Sequence, residues 1–144
     1  MKRYSPFAFA LAIIFAIALT VPLAVAKDMT SEDLVAEAKK KICEISVLDA
    51  KGLLDKGECV FVDCRTKKEY KMGHIPGALN IPRGLLEFKV AKKIPDKEKS
   101  IIMYCKKGGR GCLATCTLCK MGYKNVKNME GGWLEWEKAG YPVE

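Results

Sequence analysis

Two short, almost uninterrupted apolar runs limit the folds open to this chain more than any other feature of its sequence. They are Cys59–Cys64 (CVFVDC) and Ser100–Cys105 (SIIMYC). Apolar runs of this length without polar alternation are typical of strands buried on both faces, as in a parallel sheet. Weaker strand patterns lie at Ile42–Val47, Ala78–Ile81 and Asn125–Asn128.

Helical patterns separate these strands. They cover Leu48–Lys56, Arg83–Lys93, Arg110–Met121 and Gly131–Lys138. Because strands that alternate with helices form right-handed βαβ units, the sequence predicts an α/β, doubly wound domain with a mainly parallel sheet and helices on both faces. The length of 144 residues fits one such domain. In folds of this kind the chemistry lies beyond the carboxyl ends of the strands.

The N-terminus has the pattern of a secretory signal peptide. Lys2 and Arg3 precede an uncharged segment at residues 7–26, which ends in an Ala-Val-Ala exit. We therefore predict a signal peptide at residues 1–26, cleaved near Ala26, and a protein exported to the periplasm or the cell exterior. The alternative is an uncleaved membrane anchor, since about 20 apolar residues span a bilayer.

A separate helix is predicted at residues 27–41, ahead of the domain proper at residues 42–144. Thr30 and Asp33 have the spacing of a capping pair, with acids in the first turn and lysines in the last. This helix either provides a surface for a homodimer or has no such role.

The charge of the chain is basic, with 25 Lys and Arg against 17 Asp and Glu. The basic residues are spread thinly, without an arginine run or interleaved aromatic residues, so nucleic acid is not an expected partner. Small anions are better candidates, because a cleft lined with cations concentrates them.

The strongest candidate for chemistry is the loop that follows the second apolar run. Its residues are Cys105, Lys106, Lys107, Gly108, Gly109 and Arg110, and a predicted helix begins at its end. A helix N-terminus and nearby cations lower the pKa of a thiol. The glycines allow successive backbone N–H groups to form an anion nest. The alternative is a buried strand-end cysteine beside a solvated lysine pair.

The residues around this loop make the chain resemble a single-domain rhodanese. The matching motifs, in order, are Val62-Asp63-Cys64-Arg65, Glu69, Gly73-His74-Ile75-Pro76-Gly77-Ala78-Leu79-Asn80-Ile81-Pro82, Tyr104-Cys105-x-x-Gly108-x-Arg110, Gly122-Tyr123-x-Asn125-Val126, Glu130-Gly131-Gly132-x-x-x-Trp136 and Gly140-Tyr141-Pro142. The resemblance implies five mainly parallel strands and a sulfurtransferase without a cofactor. Cys105 would take the outer sulfur of thiosulfate or polysulfide as a persulfide and pass it to a thiol or cyanide acceptor.

Four charged residues are predicted to support the site. Asp63 accepts backbone N–H bonds at the strand end, and Arg65 forms an ion pair with Glu69 that braces the loop, as the resemblance implies. Arg83 either adds a second guanidinium at the mouth of the site or lies on the surface.

The cations of the loop itself are also expected to act at the site. Lys106 and Lys107 are expected to attract anions and to lower the pKa of Cys105, or to be simply solvated. Arg110 either points inward or pairs with a carboxylate.

Two other residues near the motifs have predicted roles. His74, the only histidine, is expected to hold structure rather than to act as a base, as the resemblance implies. Cys64 follows Asp63 at the mouth of the site, and it is a candidate resolving thiol that would form a disulfide with Cys105.

Three cysteines on the predicted helix after the loop are outside the family pattern. Cys112, Cys116 and Cys119 form one stripe, apart from the predicted core face. Three roles are open to them. They are small apolar side chains at a packing boundary, they form disulfides (Cys116 with Cys119, or Cys112 with Cys43 or Cys59), or they bind a metal. No complete metal site is predicted, since no histidine lies near them. A rival function is therefore a cysteine-rich redox or metal-binding module.

The second rival function is a cysteine-dependent phosphatase or arsenate reductase. Those relatives of the rhodaneses have a loop of the form Cys-x5-Arg, whereas Cys105 to Arg110 is Cys-x4-Arg. A shorter loop fits one terminal sulfur better than a tetrahedral oxyanion, which favours the sulfurtransferase.

Overall fold

A computed structural model describes residues 28–144, and the predicted signal peptide at residues 1–26 lies outside them. The helices are α1 (Ser31–Lys39), α2 (Val47–Lys56), α3 (Lys67–Lys71), α4 (Leu86–Lys93), α5 (Gly109–Lys120) and α6 (Gly132–Lys138). The strands are β1 (Cys43–Ile45), β2 (Val60–Asp63), β3 (Leu79–Asn80), β4 (Ile101–Tyr104) and β5 (Val126–Met129). A short 3-10 turn, Arg83–Leu85, precedes α4.

The five strands of the described region form one sheet in the order β1-β5-β4-β2-β3, and every neighbouring pair is parallel. This confirms the predicted α/β class and the parallel sheet. The two strong apolar runs, β2 and β4, lie side by side at the centre of the sheet. Their carboxyl ends therefore meet at the same edge.

A hydrophobic core covers each face of the sheet, because alternate strand residues point to opposite sides. On one face Val62 and Met103 pack with Leu118 of α5 and Val90 of α4. On the other face the buried side chains include Phe61, Tyr104 and Ile102 from the strands, with Ala50 of α2 and Trp133 and Trp136 of α6. The sheet is thus covered on both sides, as the sequence predicts for a doubly wound domain.

The first helix has the predicted cap and packs against α5. Thr30 and Asp33 exchange hydrogen bonds between side chain and backbone, which satisfies N–H groups at the helix start. Val35 lies against Gly109, the first residue of α5: a Cβ added there would sit 3.6 Å from the Val35 methyl group. The helix therefore borders the cysteine loop.

The helix α3 is absent from the sequence prediction. It spans only five residues, too few for an apolar period to show. Thr66 and Glu69 nevertheless form a complete capping box at its start, with the Thr66 side chain accepting from the Glu69 N–H. That Thr-x-x-Glu spacing was the one local feature that could have revealed it.

Among residues 28–144, no helix is both long enough and apolar enough to cross a bilayer.

Candidate active site

Cys105 lies directly after β4, and the loop that follows it leads into α5. Gly108 has a φ of 99°, a value that favours glycine, and no side chain caps the first turn of α5. The N–H groups of this turn are consequently available to the thiol. The Gly108 N–H donates to the Cys105 sulfur over 3.1 Å.

The surroundings of Cys105 stabilise its thiolate and lower the pKa of the thiol to about 5. The largest cause is a hydrogen bond from the Cys64 side chain, and backbone N–H groups of Gly111, Lys107 and Gly108 add to it, while burial opposes the shift. The side chains of Lys106 and Lys107 are exposed. The lowering therefore comes mainly from Cys64 and the backbone, not from the lysine ammonium groups expected from the sequence.

The start of α6 holds the backbone of the loop in place. The Trp133 N–H donates to the Cys105 carbonyl over 2.7 Å, and the Leu134 N–H donates to the Lys106 carbonyl over 3.1 Å. Gly132 has a φ of 60°, and a Cβ there would collide with the Cys105 carbonyl. The Gly131-Gly132 pair therefore permits the close approach of α6 to the loop.

Asn128, at the other side of the loop, is a buried polar residue that the sequence analysis did not identify. Its amide donates to Glu44 over 2.8 Å and lies 3.1 Å from the Cys112 sulfur. Its oxygen occupies the space that a Cβ on Gly111 would need. Since the N–H of Gly111 is one of the groups that stabilise the thiolate, Asn128 sets the position of the first turn of α5 beside Cys105.

Glu69 pairs with Arg110, which corrects the predicted ion pair between Arg65 and Glu69. The distances are 3.0 Å from Nη1 to Oε2 and 2.8 Å from Nη2 to Oε1. The Arg110 guanidinium lowers the pKa of Glu69 to about 2. The sequence left Arg110 either pointing inward or paired with a carboxylate, and the structure shows the paired state.

Arg65 instead pairs with Asp63, two residues earlier. Its Nη2 lies 2.7 Å from Asp63 Oδ2 and also donates to the Gly73 carbonyl over 2.7 Å. Both side chains are almost wholly buried, and the guanidinium lies 4.5 Å from the centre of the Trp133 ring. A buried carboxylate needs a partner close at hand, and Arg65 is the nearest cation. Asp63 also accepts the Arg65 backbone N–H over 2.8 Å, as predicted.

Two other predicted residues lie away from the thiol. The guanidinium of Arg83 binds Glu87 and Thr117, so it does not extend over the loop. His74 stacks on Tyr70, with ring centroids 3.7 Å apart, and its Nδ1 lies 3.1 Å from the Tyr70 carbonyl oxygen. The structure thus brings together Cys105, Cys64 and the backbone of residues 107–111, with Arg110 and Glu69 beside them.

The prediction that the cysteines of α5 all lie on the flank or outside is wrong for Cys112. That thiol is fully buried beside Glu44 and Asn128, because β5 and β1 cover this side of the helix. Burial raises its pKa to about 11. Cys116 is half-buried and Cys119 exposed, and all seven cysteines are free thiols. Within residues 28–144, no three His, Cys, Asp or Glu side chains cluster in a way that could hold a metal ion.

Two cavities border the loop. A cavity of about 290 Å³ opens on the Lys106 side, between α3 and α6. Its lining residues are Arg65, Glu69, Met72, Gly73, Lys106, Trp133, Leu134 and Glu137. A second cavity, of about 510 Å³, lies on the Arg110 side, between α1 and α5.

A parallel α/β domain with a cysteine thiolate held at a helix N-terminus defines a protein whose chemistry depends on a nucleophilic thiol. The particular family follows from comparison with known proteins. The sequence-family model of the rhodanese-like domain matches residues 46–139 of this chain. The chain belongs to the rhodanese-like family.

Curated relatives of the chain include a sulfurtransferase of Allochromatium vinosum, which is 35% identical over 91 residues. Those residues cover 63% of this chain and 83% of the relative. A tRNA uridine(34) hydroxylase of Erwinia tasmaniensis is 37% identical over 107 residues. That match covers 69% of this chain, which spans only 31% of the length of the hydroxylase.

Solved structures give the same fold. A protein of unknown function from Rhodopseudomonas palustris, described as a possible tyrosine phosphatase, has a TM-score of 0.76 and 35% identity. It covers 82% of this chain, and 96% of its own length is matched. A thiosulfate sulfurtransferase of Pseudomonas aeruginosa has a TM-score of 0.71 and 28% identity, with 79% of this chain and 22% of that chain covered.

Proposed function

We propose that this protein is a sulfurtransferase that carries sulfane sulfur as a persulfide on Cys105. The donor is thiosulfate or polysulfide, and the acceptor is a thiol or cyanide. The single observation that carries the proposal is the thiolate of Cys105, held against the N–H groups of a short loop. A thiolate is the reactive form of cysteine, and the same N–H groups can hold the negative charge of a terminal sulfur.

The reaction proceeds in two displacements. The Cys105 sulfur attacks the outer sulfur of the donor, and sulfite or a shortened polysulfide leaves with the bonding electrons. The acceptor then attacks the outer sulfur of the persulfide, and the Cys105 thiolate is the leaving group. The low pKa of Cys105 assists both steps, because it makes the thiolate available for attack and also a good leaving group.

The state of Arg110 favours sulfur over phosphate as the group transferred. Its guanidinium is held by both oxygens of Glu69. Two of its five N–H donors are taken by Glu69, so fewer remain for the bidentate binding of a tetrahedral oxyanion that is typical of phosphate sites. The backbone N–H groups of the loop remain, and these are enough for a single sulfur.

Export remains a second part of the proposal, and it rests only on the apolar segment and the Ala-Val-Ala exit at residues 7–26. Determination of the N-terminus of the protein secreted by an expressing cell tests it. A start near residue 27 is expected, and a protein that retains Met1 would contradict it.

The test of the activity is peptide mass spectrometry after brief exposure of the purified protein to thiosulfate or polysulfide without a reductant. We expect one additional sulfur on the peptide that contains Cys105, removed by cyanide as thiocyanate. Cys105→Ser should take up no sulfur, whereas the matched variant Cys119→Ser should behave as the wild type, because Cys119 is exposed at the far end of α5.

Other outcomes would overturn the proposal. Sulfur found on Cys112, Cys116 or Cys119 with Cys105 unmodified would support the cysteine-rich redox module. Hydrolysis of an aryl phosphate or reduction of arsenate that depends on Cys105, without sulfur uptake, would support the phosphatase or arsenate reductase.

A further inference from the structure

Cys64 and Cys105 occupy facing positions on the two central strands. The register of β2 and β4 pairs Asp63 with Tyr104. The Cys64 N–H then donates to the Tyr104 carbonyl over 2.9 Å, which extends the pairing by one residue. Neighbouring strands lie about 4.8 Å apart, and disulfides join Cα atoms about 4.4–6.8 Å apart. The backbone therefore places the two cysteines at a separation that a disulfide can bridge.

Both side chains point to the same face of the sheet. Cys64 and Cys105 belong to the core cluster that also contains Val62 and Met103, and they are 1% and 2% exposed. The interaction between the two thiols raises the pKa of Cys64 above its ordinary value and lowers that of Cys105.

Cys64 and the loop are two different neighbours of Cys105, one from the adjacent strand β2 and one from the start of α5. The Gly108 N–H lies on the loop side, where the outer sulfur of a persulfide would be held. Cys64 lies on the core side, under the strand ends. In a displacement at the Cys105 sulfur, Cys64 would be the attacking group and the outer sulfur the leaving group.

Building on the proposed sulfurtransferase activity, we propose that Cys64 resolves the Cys105 persulfide and releases its outer sulfur as hydrosulfide. The Cys64 sulfur bonds to the Cys105 sulfur, and the bond between Cys105 and the outer sulfur breaks. The Cys64 proton passes to the outer sulfur, so the attacking group is a thiolate, and the outer sulfur leaves as hydrosulfide with the electron pair of the broken bond.

The electrons balance within the protein. Two thiol sulfurs are oxidised to a disulfide, and the sulfane sulfur is reduced by two electrons to hydrosulfide, so no external oxidant is needed. A dithiol reductant must then reopen the disulfide before the next turnover. The protein would consequently pass sulfur to an acceptor when one is present and release hydrosulfide when none is.

The intramolecular step competes with transfer to an external acceptor and is expected to prevail only when the acceptor is absent or dilute, because Cys64 is already held next to Cys105. Both cysteines are buried, so an external thiol must approach through the loop. A disulfide at this position would leave Cys105 unable to accept further sulfur until it is reduced.

The experiment loads the purified protein with polysulfide, removes the donor and follows the loaded protein without an acceptor. Samples are quenched at intervals with an alkylating reagent, and hydrosulfide and the peptide masses are measured together. The variants are Cys64→Val, which keeps an apolar side chain of similar size, and Cys64→Ala. The matched control is Cys59→Ala. Cys59 is half-buried and lies just before β2, in the same apolar run as Cys64.

We expect the wild type and Cys59→Ala to lose the extra sulfur as hydrosulfide and to gain a disulfide between Cys64 and Cys105. Both Cys64 variants should keep the persulfide at least about tenfold longer, because the internal nucleophile is absent. Loss of sulfur from the Cys64 variants at the wild-type rate, or a disulfide between other cysteines, would overturn the proposal.

A second treatment separates this proposal from the sulfurtransferase activity. Dilute hydrogen peroxide converts a cysteine thiolate to a sulfenic acid, which condenses with a neighbouring thiol to a disulfide and water. If Cys105 takes no sulfur from any donor but peroxide still links Cys64 to Cys105, the proposed function fails and the resolving role stands. If the wild type carries the persulfide and neither treatment produces the disulfide, the resolving role fails alone.

Discussion

The guanidinium of Arg110 holds both carboxylate oxygens of Glu69, at 3.0 and 2.8 Å. The pair joins the first turn of α5 to the first turn of α3, and Glu69 also accepts from the Thr66 N–H at 2.9 Å. A single carboxylate therefore fixes the start of α3 and restrains the end of the cysteine loop.

Glu69→Gln is expected to lower the free energy of unfolding by about 1 kcal/mol at neutral pH, since the pair is partly exposed. The pKa of Glu69 is about 2 in the folded protein against an ordinary 4.5. The contribution of the pair is thus complete above pH 4.5 and lost as the pH falls towards 2. Denaturant unfolding near pH 2 and above pH 4.5 checks this loss of stability.

Glu135→Gln, which breaks an exposed pair with Lys138, is the control and should have little effect at either pH. A constant difference across the range would contradict the assignment.

The reactivity of Cys105 should follow the titration of its thiolate. Its rate of alkylation is expected to rise with pH, to reach half its limit near pH 5 and to level off above that. Cys64→Val should move the midpoint to higher pH, because the hydrogen bond that contributes most to the lowering is removed. Peptide-resolved alkylation kinetics measure both midpoints. Cys119, whose pKa burial raises, is the internal reference, and equal midpoints for Cys105 and Cys119 would refute the thiolate.

Gly132→Ala tests the contact between α6 and the loop. The new methyl group would collide with the Cys105 carbonyl, so the loop must move. We expect persulfide formation to slow on the order of a hundredfold, as displacement of a reacting group by about 1 Å can do. Gly140→Ala is the matched control: its φ of 69° gives the same backbone strain, but nothing lies within 4 Å of the added carbon. It should lose about 1 kcal/mol of stability and keep its rate of persulfide formation. Equal rates in the two variants would show that the contact is not needed.

Asn128→Asp should be strongly destabilising, by about 3 kcal/mol, because it places a second buried carboxyl group beside Glu44. The loss should grow as the pH rises, since the added group is neutral only when protonated. Thermal unfolding across a pH series measures this. Asn125→Asp, just before β5, removes an exposed hydrogen bond to the Glu98 carbonyl and should cost only about 1 kcal/mol. A loss that does not depend on pH would mean that charge is not the cause.

The local patterns of the sequence were sufficient for every element except α3, and for the central loop. The runs that end at Cys64 and Cys105 are almost uninterrupted because both sheet faces are covered, and this pattern predicts two buried strands of a parallel sheet. The cap at Thr30 also acts within a few residues, and the structure confirms it. Membership of the rhodanese-like family follows from motifs in the same way.

The tertiary structure decided which side chains are partners. Arg65 had two carboxylates within four residues, and only the burial of Asp63 selected it over Glu69. No pattern in the sequence predicts the contact between Asn128 and Gly111, because the two residues meet only when β5 packs under α5. Cys112 was placed outside the core by helical periodicity, which cannot show that β1 and β5 cover a second side of the helix. Short-range backbone preferences are encoded locally, whereas ion pairs and close packing depend on distances that only the folded chain sets.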